Sequence, residues 1–185
     1  MKAKIYQIKI SLRDSKPEIW RRVLISSNLL LPNLQNVIQI VMGWEDAHLH
    51  HFIKGRVFYT NNVEKEKPLG GMNEVNYSNV KISELLQKEK QSIFYEYDFG
   101  DGWDHDVLLE KINDIGLVKG ASVCITGENK CPPEDCGGMW GYENLLNIQK
   151  DPNHEEYEDC LEWLGEGFNP SHFDKSGVNE ALKCL

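Results

Sequence analysis

The stretch AKIYQIKISLRDSKPEIWRRVLIS, residues 3–26, decides the fold. Apolar and polar side chains alternate over residues 3–12, and the alternation returns over residues 18–26, which is the period of a half-buried β-strand. Residues 14–17, Asp-Ser-Lys-Pro, are a turn signal between the two runs. The stretch therefore predicts a hairpin whose buried face carries Tyr6, Ile8, Ile10, Leu12, Ile19, Val23 and Ile25.

An amphipathic helix is predicted directly after the hairpin. One helix face collects apolar side chains at spacings of three and four residues, namely Leu34, Val37, Ile38, Val41 and Met42. Pro32 suits a first turn, and Gly43 suits the position just after a helix ends. We therefore expect a helix over residues 33–42.

The rest of the chain adds strands first and helices last. Further strands are predicted at 48–54, 56–60, 91–99, 103–112 and 121–126, and helices at 82–88, 140–150, 157–164 and 178–185. The polar residues 61–80 lack a clear pattern and are predicted to form a flap or insertion. This order predicts a single α+β domain over residues 1–185. Its largely antiparallel sheet packs on one amphipathic helix, and residues 139–185 form a helical C-terminal part. Five aromatic side chains are predicted to be mostly buried, namely Trp20, Trp44, Phe52, Tyr97 and Trp103.

The charge balance restricts the classes of partner. The chain has 185 residues, of which 29 are acidic and 20 are basic, so its net charge is −9. This argues against general nucleic-acid binding, because phosphate contacts need excess positive charge. Seven basic and two acidic residues lie within residues 1–22, whereas residues 151–166 hold seven acidic residues and no Lys or Arg. This segregation indicates either two solvated faces or docking of an acidic helix on a basic protein partner.

Membrane insertion and a disulfide framework are not expected. No apolar run approaches about 20 residues, which a membrane span would need. The five cysteines are an odd number in a chain of ordinary core size, so we predict a reducing cytoplasmic environment.

The first motif that could carry chemistry is GWEDAHLHHF, residues 43–52. On a strand, His48 and His50 would point to the same face, and two fixed imidazoles make half of a metal site. The alternative is a pair of sheet-surface histidines, one of them hydrogen-bonded.

The second motif is YEYDFGDGWDHD, residues 95–106. Asp101-Gly102 has the sequence of a tight turn, so backbone geometry alone explains it. Asp98 and His105 are not needed for a turn and are candidate metal ligands, together with Asp101. Trp44 and Trp103 are predicted to line the same cleft as these ligands.

The third motif is CPPEDCGG, residues 131–138, whose prolines and glycines exclude regular structure. It presents Glu134 and Asp135 as candidate general bases. The alternative is that these carboxylates cap a helix or pair with Arg21 or Arg22. Zinc on Cys124, Cys131 and Cys136 is a further reading, although the spacing differs from that of ordinary structural zinc sites.

These motifs together resemble the plasmid pRiA4b ORF-3-like family. The matching residues run in order through almost the whole chain: Pro17–Arg22, Gly43–Glu45 with His48–His50 and Phe52, Tyr95, Tyr97–Asp101, Trp103, His105, Cys131–Asp135, Gly137-Gly138, Trp140–Tyr142, Asp151-Pro152, Trp163–Gly165, Phe168–Pro170 and Phe173-Asp174. The resemblance implies a link to plasmids and insertion elements, because some members are labelled as passenger proteins with a resolvase name. It does not imply resolvase activity here, since no serine lies amid the required arginines.

Three functions are compatible with these observations. The first is a binding or interaction module of a mobile-element-associated family, with Arg21 and Arg22 as a basic contact surface. The second is a metal-dependent, hydrolase-like enzyme that uses a divalent metal on His48, His50, Asp98, Asp101 and His105. The third is a buried polar network that only fixes the sheet. The shared-cleft hypothesis predicts that all these ligands converge with Glu134 and Asp135.

Overall fold

The computed structural model describes residues 3–61, 73–114, 122–165 and 167–185. Its strands are β1 (Ile5–Leu12), β2 (Ile19–Ser26), β3 (His50–Lys54), β4 (Val57–Thr60), β5 (Asn73–Asn76), β6 (Ser92–Tyr97), β7 (Trp103–Asn113) and β8 (Val123–Glu128). Its helices are α1 (Leu31–Met42), α2 (Ile82–Leu85), α3 (Gly138–Ile148), α4 (Tyr157–Leu164) and α5 (Lys175–Leu182). The strands form one sheet in the order β5-β4-β3-β6-β7-β1-β2-β8. Only β4 and β5 pair in parallel, so the predicted α+β fold with a largely antiparallel sheet is confirmed.

The predicted hairpin of β1 and β2 is present. Ile5 pairs with Ser26 at one end, and Leu12 pairs with Ile19 at the other. The Ser15 hydroxyl closes the turn, because it donates to the Leu12 carbonyl and accepts the Ile19 N–H. All seven predicted inward side chains are buried.

Helix α1 packs its apolar face into the same core as the inner face of the sheet. It begins at Leu31, slightly earlier than predicted, because Pro32 fits the first turn, where a missing N–H costs nothing. Gly43 ends the helix with a φ of 90°, and its N–H donates to the Gln39 carbonyl. Each fully buried side chain such as Leu34 or Ile38 contributes roughly 1.5–3 kcal/mol.

Strands β3, β6 and β7 bring the aromatic residues of the motifs together on the inner face. His50 lies opposite Tyr97, and Tyr97 lies opposite Trp103. Trp44, Phe52, Tyr97 and Trp103 are all buried, as predicted.

Trp20 differs from the other four aromatic residues, because it is only partly buried. Trp20 is half-buried on the outer face of β2, because Ile19 and Arg21 take the inward positions of that strand. The cationic groups of Lys9 and Arg22 lie over its ring, 5.2 and 4.8 Å from the centroid.

Part of the predicted flap is an edge strand. Residues 62–72 lie outside the described residues, but β5 pairs with β4, and Tyr77 beyond it is buried. The strand NEVN carries a single apolar residue, so the alternation that predicts a strand is missing from it.

The C-terminal helices cover the β8 end of the molecule. The Asn179 side chain of α5 bonds both the N–H and the carbonyl of Cys124 on β8. The Cys160 thiol of α4 donates to the Leu145 carbonyl of α3. Within the described residues, no helix combines the length and the apolar character that a membrane span requires.

Candidate functional site

Three loops meet at one end of β3, β6 and β7. They are residues 43–49, the turn of residues 98–102, and the proline loop of residues 131–137. The Asp98 N–H donates to the Leu49 carbonyl at 2.9 Å, which joins the first loop to the turn. The Trp44 indole N–H donates to the Pro132 carbonyl at 3.0 Å, which joins the first loop to the proline loop. These contacts bring distant parts of the chain together.

The Tyr97 hydroxyl holds two of these loops together by hydrogen bonds. It accepts the N–H groups of Ala47 and His48 at 3.0 and 3.3 Å and donates to Oε1 of Glu134. Burial, followed by the bond to Glu134, raises the pKa of Tyr97 well above its usual value, so the hydroxyl stays protonated. The other oxygen of Glu134 accepts the Glu45 N–H at 3.1 Å. Both oxygens of this candidate base are thus engaged in holding the two loops together.

Asp98 points its carboxylate into the junction. Its φ of 54° lies in the left-handed region, which Asp tolerates better than most residues. Oδ1 accepts the Gly100 N–H at 3.0 Å and faces the Asp101 N–H at 3.4 Å. Oδ2 lies 3.7 Å from Nδ1 of His48. One oxygen therefore shapes the turn, and the other faces the imidazole.

His48 lies between two carboxylates. Its Nε2 is 3.3 Å from Oδ1 of Asp135, which stands exposed on the proline loop. One ligand atom each of His48, Asp98 and Asp135 lie within 4.8 Å of one another, and we call these three residues the His48 cluster. An imidazole nitrogen with two carboxylate oxygens is a donor set that Zn²⁺ and Mn²⁺ accept.

His50 does not join the His48 cluster. It is buried on β3, and its Nε2 lies 2.6 Å from the Tyr77 hydroxyl. Its Nδ1 is 4.0 Å from Oδ1 of Asp46. Burial lowers the pKa of His50. His48 precedes β3 instead of lying on it, so the expected shared face of the two imidazoles is not formed.

His105 and the two tryptophans form the packed layer below the junction. His105 is fully buried on β7, with ring centroids 5.2 Å from Trp44 and 5.4 Å from Tyr95. Neither of its ring nitrogens has a hydrogen-bond partner in the described part of the chain. Trp44 also stacks near Trp103, with ring centroids 5.6 Å apart. Contrary to the shared-cleft hypothesis, these side chains do not line an opening.

Asp101 acts on the backbone of the neighbouring loop. Its Oδ2 accepts the Gly137 N–H at 3.2 Å. A side chain on Gly138 would clash with the Asp101 carbonyl, so the glycine allows α3 to start directly against the turn. Asp101 thus contributes to the position of the proline loop, and it is not a member of the His48 cluster.

The comparison with known proteins agrees with the motifs of this junction. The family model of the plasmid pRiA4b ORF-3-like proteins matches residues 4–177. The chain belongs to this family. It is 31% identical over 180 residues to "Uncharacterized protein y4hQ" of Sinorhizobium fredii, covering 97% of this chain and 88% of that protein. A crystal structure titled "Protein of Unknown Function MM3350 from Methanosarcina mazei Go1" is 35% identical, with a TM-score of 0.83, covering 96% of this chain and 98% of that one. Neither name assigns an activity, so function has to be argued from the site.

Three exposed apolar side chains belong to the segments that carry the His48 cluster or follow them in this pRiA4b ORF-3-like protein. Leu49 is 60% exposed, Phe99 is 50% exposed and Trp140 is 80% exposed. Leu49 and Phe99 directly follow members of the cluster, and Trp140 lies in the first turn of α3. We call these three residues the apolar rim. Sequence reasoning assigned them no role, although a Leu between two histidines and a Trp beside the glycines of the proline loop were visible signals.

The predicted basic contact surface does not include Arg21 in this family member. Arg21 is 2% exposed, because β2 turns it inward. Its Nε donates to the Val41 carbonyl at the end of α1, and its Nη1 donates to the carbonyls of Trp20 and Glu128, each at 2.8 Å. Burial lowers its pKa. The Phe173 ring covers the guanidinium, with its centroid 3.9 Å from Cζ.

Arg22 lies on the outer face and is already paired. It forms a two-pronged salt bridge with Glu110 at 2.6 and 2.8 Å. The positive charge predicted for this surface is therefore neutralised.

The cysteines do not form the zinc site considered from the sequence. All five are free, and the Cys131 thiol is buried against Met42 and Arg21. Among the described residues, the His48 cluster is the only group of three with metal-binding geometry.

Proposed function

We propose that this protein is a binding module that takes a divalent cation at the His48 cluster. The observation that carries the proposal is the approach of three ligand atoms, from three distant segments, to within 4.8 Å of one another. A divalent cation would offset the mutual repulsion of Asp98 and Asp135, which face the same imidazole.

The fixed and movable parts of the cluster suit this role. Backbone bonds hold two members in place: the Tyr97 hydroxyl accepts the His48 N–H, and the Leu49 carbonyl accepts the Asp98 N–H. Asp135 is exposed and has room to change rotamer. Closing to bond lengths of about 2.0–2.2 Å for zinc therefore needs movement of one free side chain.

The apolar rim supports binding of a larger ligand around the cation. Large apolar side chains that are exposed beside a site are candidate contact positions for a ligand. Leu49, Phe99 and Trp140 are half to four-fifths exposed. The family's link to plasmids and insertion elements is compatible with an interaction role.

Hydrolysis is less well supported than binding. A hydrolase would need a free general base beside the metal. Both oxygens of Glu134 are hydrogen-bonded, and Asp135 is used as a ligand in this proposal.

Isothermal titration with Zn²⁺ and with Mn²⁺ tests the proposal on chelator-treated protein. We expect one cation per chain, and a loss of affinity of at least about 10–100-fold in His48→Ala and in Asp135→Asn. His172→Ala, which removes an exposed histidine elsewhere, should bind as wild type. Equal affinity of His48→Ala and wild type, or no uptake of either ion, would overturn the proposal.

A further inference from the structure

The residues before and within α4 form a negatively charged surface. Six carboxylates lie in residues 151–165 without a Lys or Arg among them, and all are exposed: Asp151, Glu155, Glu156, Glu158, Asp159 and Glu162. None of them forms a salt bridge with any residue that the structure describes. The basic side chains that the structure describes therefore do not neutralise this surface.

The distribution of these carboxylates destabilises helix α4. Glu158 and Glu162 are four residues apart and repel each other on one face. Glu158 and Asp159 in the first turn suit the positive end of the helix, but Glu162 lies towards its negative end, and the last turn has no basic residue. Cations from outside the chain would relieve both effects.

An exposed aromatic side chain lies on the same helix as these charges, one turn after Asp159. Trp163 is 52% exposed, whereas Cys160 and Leu164 form the buried face of α4. Packing of α4 on the rest of the molecule therefore leaves the indole free. Tryptophan is among the commonest anchors of protein interfaces, and its ring also attracts cations.

We infer that α4 and the residues before it are a docking surface for a basic protein segment, one that presents Lys or Arg beside an apolar side chain. The carboxylates supply charge complementarity, and Trp163 supplies the apolar contact. Nucleic acid is disfavoured, because its phosphates would meet six carboxylates. The inference is independent of the His48 cluster, which lies on other segments of the chain.

Fluorescence anisotropy tests the inference with a short labelled peptide rich in Lys, Arg and Leu, at low salt and with chelator present. We expect saturable binding that weakens with added salt. Trp163→Ala should reduce affinity about tenfold, and the double variant Glu158→Gln/Glu162→Gln should reduce both the affinity and its salt dependence. The matched controls are Leu185→Ala, at an exposed apolar side chain, and Glu143→Gln, at an exposed carboxylate of α3, and both should leave binding unchanged.

Two results would overturn the inference. One is the absence of binding at low salt. The other is equal weakening by the α4 variants and by the two control variants, which would indicate that binding has no preference for α4. Because chelator is present throughout, neither result depends on cation binding at the His48 cluster.

Discussion

Arg21 and Arg22 are neighbours on β2 but face opposite sides of the sheet. Arg21 is buried and donates to three backbone carbonyls at the junction of β2, β8 and the end of α1. Arg22 pairs with Glu110 on the outer face. Substituting each arginine in turn therefore compares the stability contributed by a buried arginine with that of a surface arginine on the same strand.

We predict that Arg21→Ala lowers the free energy of unfolding by about 3–5 kcal/mol, because it leaves buried carbonyl groups without donors. Arg22→Ala should cost about 1 kcal/mol or less, as partly exposed ion pairs do. Urea unfolding of the two variants measures both losses. Equal losses would contradict the buried role of Arg21.

His105 is a fully buried histidine whose contribution to stability depends on pH. Burial lowers its pKa from 6.5 to about 4, and the nearby backbone of Tyr95 and Trp103 offsets this only in part. The unfolded chain therefore takes up a proton before the folded chain does. The stability contributed by neutral His105 is complete above about pH 6.5 and is lost as the pH falls towards 4.

We predict that His105→Leu removes this dependence. Between pH 8 and pH 5, wild type should lose about 2 kcal/mol more stability than the variant, because Leu binds no proton. Near pH 8 the two should differ by less than about 1.5 kcal/mol, since the imidazole makes no hydrogen bond with the described residues. Urea unfolding of wild type and His105→Leu at several pH values between 5 and 8 measures this difference. His172→Leu, at an exposed position, should follow wild type, whereas parallel curves for His105→Leu and wild type would refute the prediction.

The two-residue period of β2 predicts the positions of Trp20 and Arg21 better than their residue types do. Trp20 is predicted to be mostly buried at an apolar phase of its strand, and Arg21 is predicted to lie on a basic contact surface. The period-two alternation of β2 places Arg21 with Ile19 and Val23, on the inner face. The same argument places His105 with Trp103 and Val107 inside.

The start of α3 packs against the turn of residues 98–102, and this contact holds the proline loop in place. Gly138 has a φ of 66°, and an added Cβ would meet the Asp101 carbonyl. Gly55, in the β3–β4 turn, has a similar φ of 63° and open space around it. A substitution at Gly55 therefore reports backbone strain alone.

We predict that Gly138→Ala is more destabilising than Gly55→Ala by about 1–3 kcal/mol, because it adds a collision with backbone to the common strain. Thermal or urea unfolding of both variants measures the difference. Similar losses would mean that α3 does not need its close approach to Asp101.

Alternation and helical spacing predicted most elements, because each is a local property of the chain. The strand β5 was not predicted, because an edge strand of four mostly polar residues shows no apolar–polar alternation. The strand β3 begins at His50 and not at His48, because the preceding residues fold over the Tyr97 hydroxyl. That contact joins residues about 50 positions apart, which local patterns do not predict.

At the scale of the whole molecule, the two charged segments behave differently. Four of the seven basic N-terminal residues form salt bridges on the sheet and in its turns: Lys4 with Asp114, Lys9 with Glu18, Arg13 with Asp106 and Arg22 with Glu110. Three of these partners lie about 90 or more residues away, so a local count of charge could not find them. The acidic segment before and within α4 keeps its charge.

The central claim is that one cation binds where three distant segments meet at the His48 cluster. The most direct measurement is an anomalous difference map from crystals grown with Zn²⁺. We predict a single strong peak about 2.0–2.2 Å from a ring nitrogen of His48 and from carboxylate oxygens of Asp98 and Asp135. A peak only at His50, His51 or the cysteines, or no peak at the cluster, would contradict the claim.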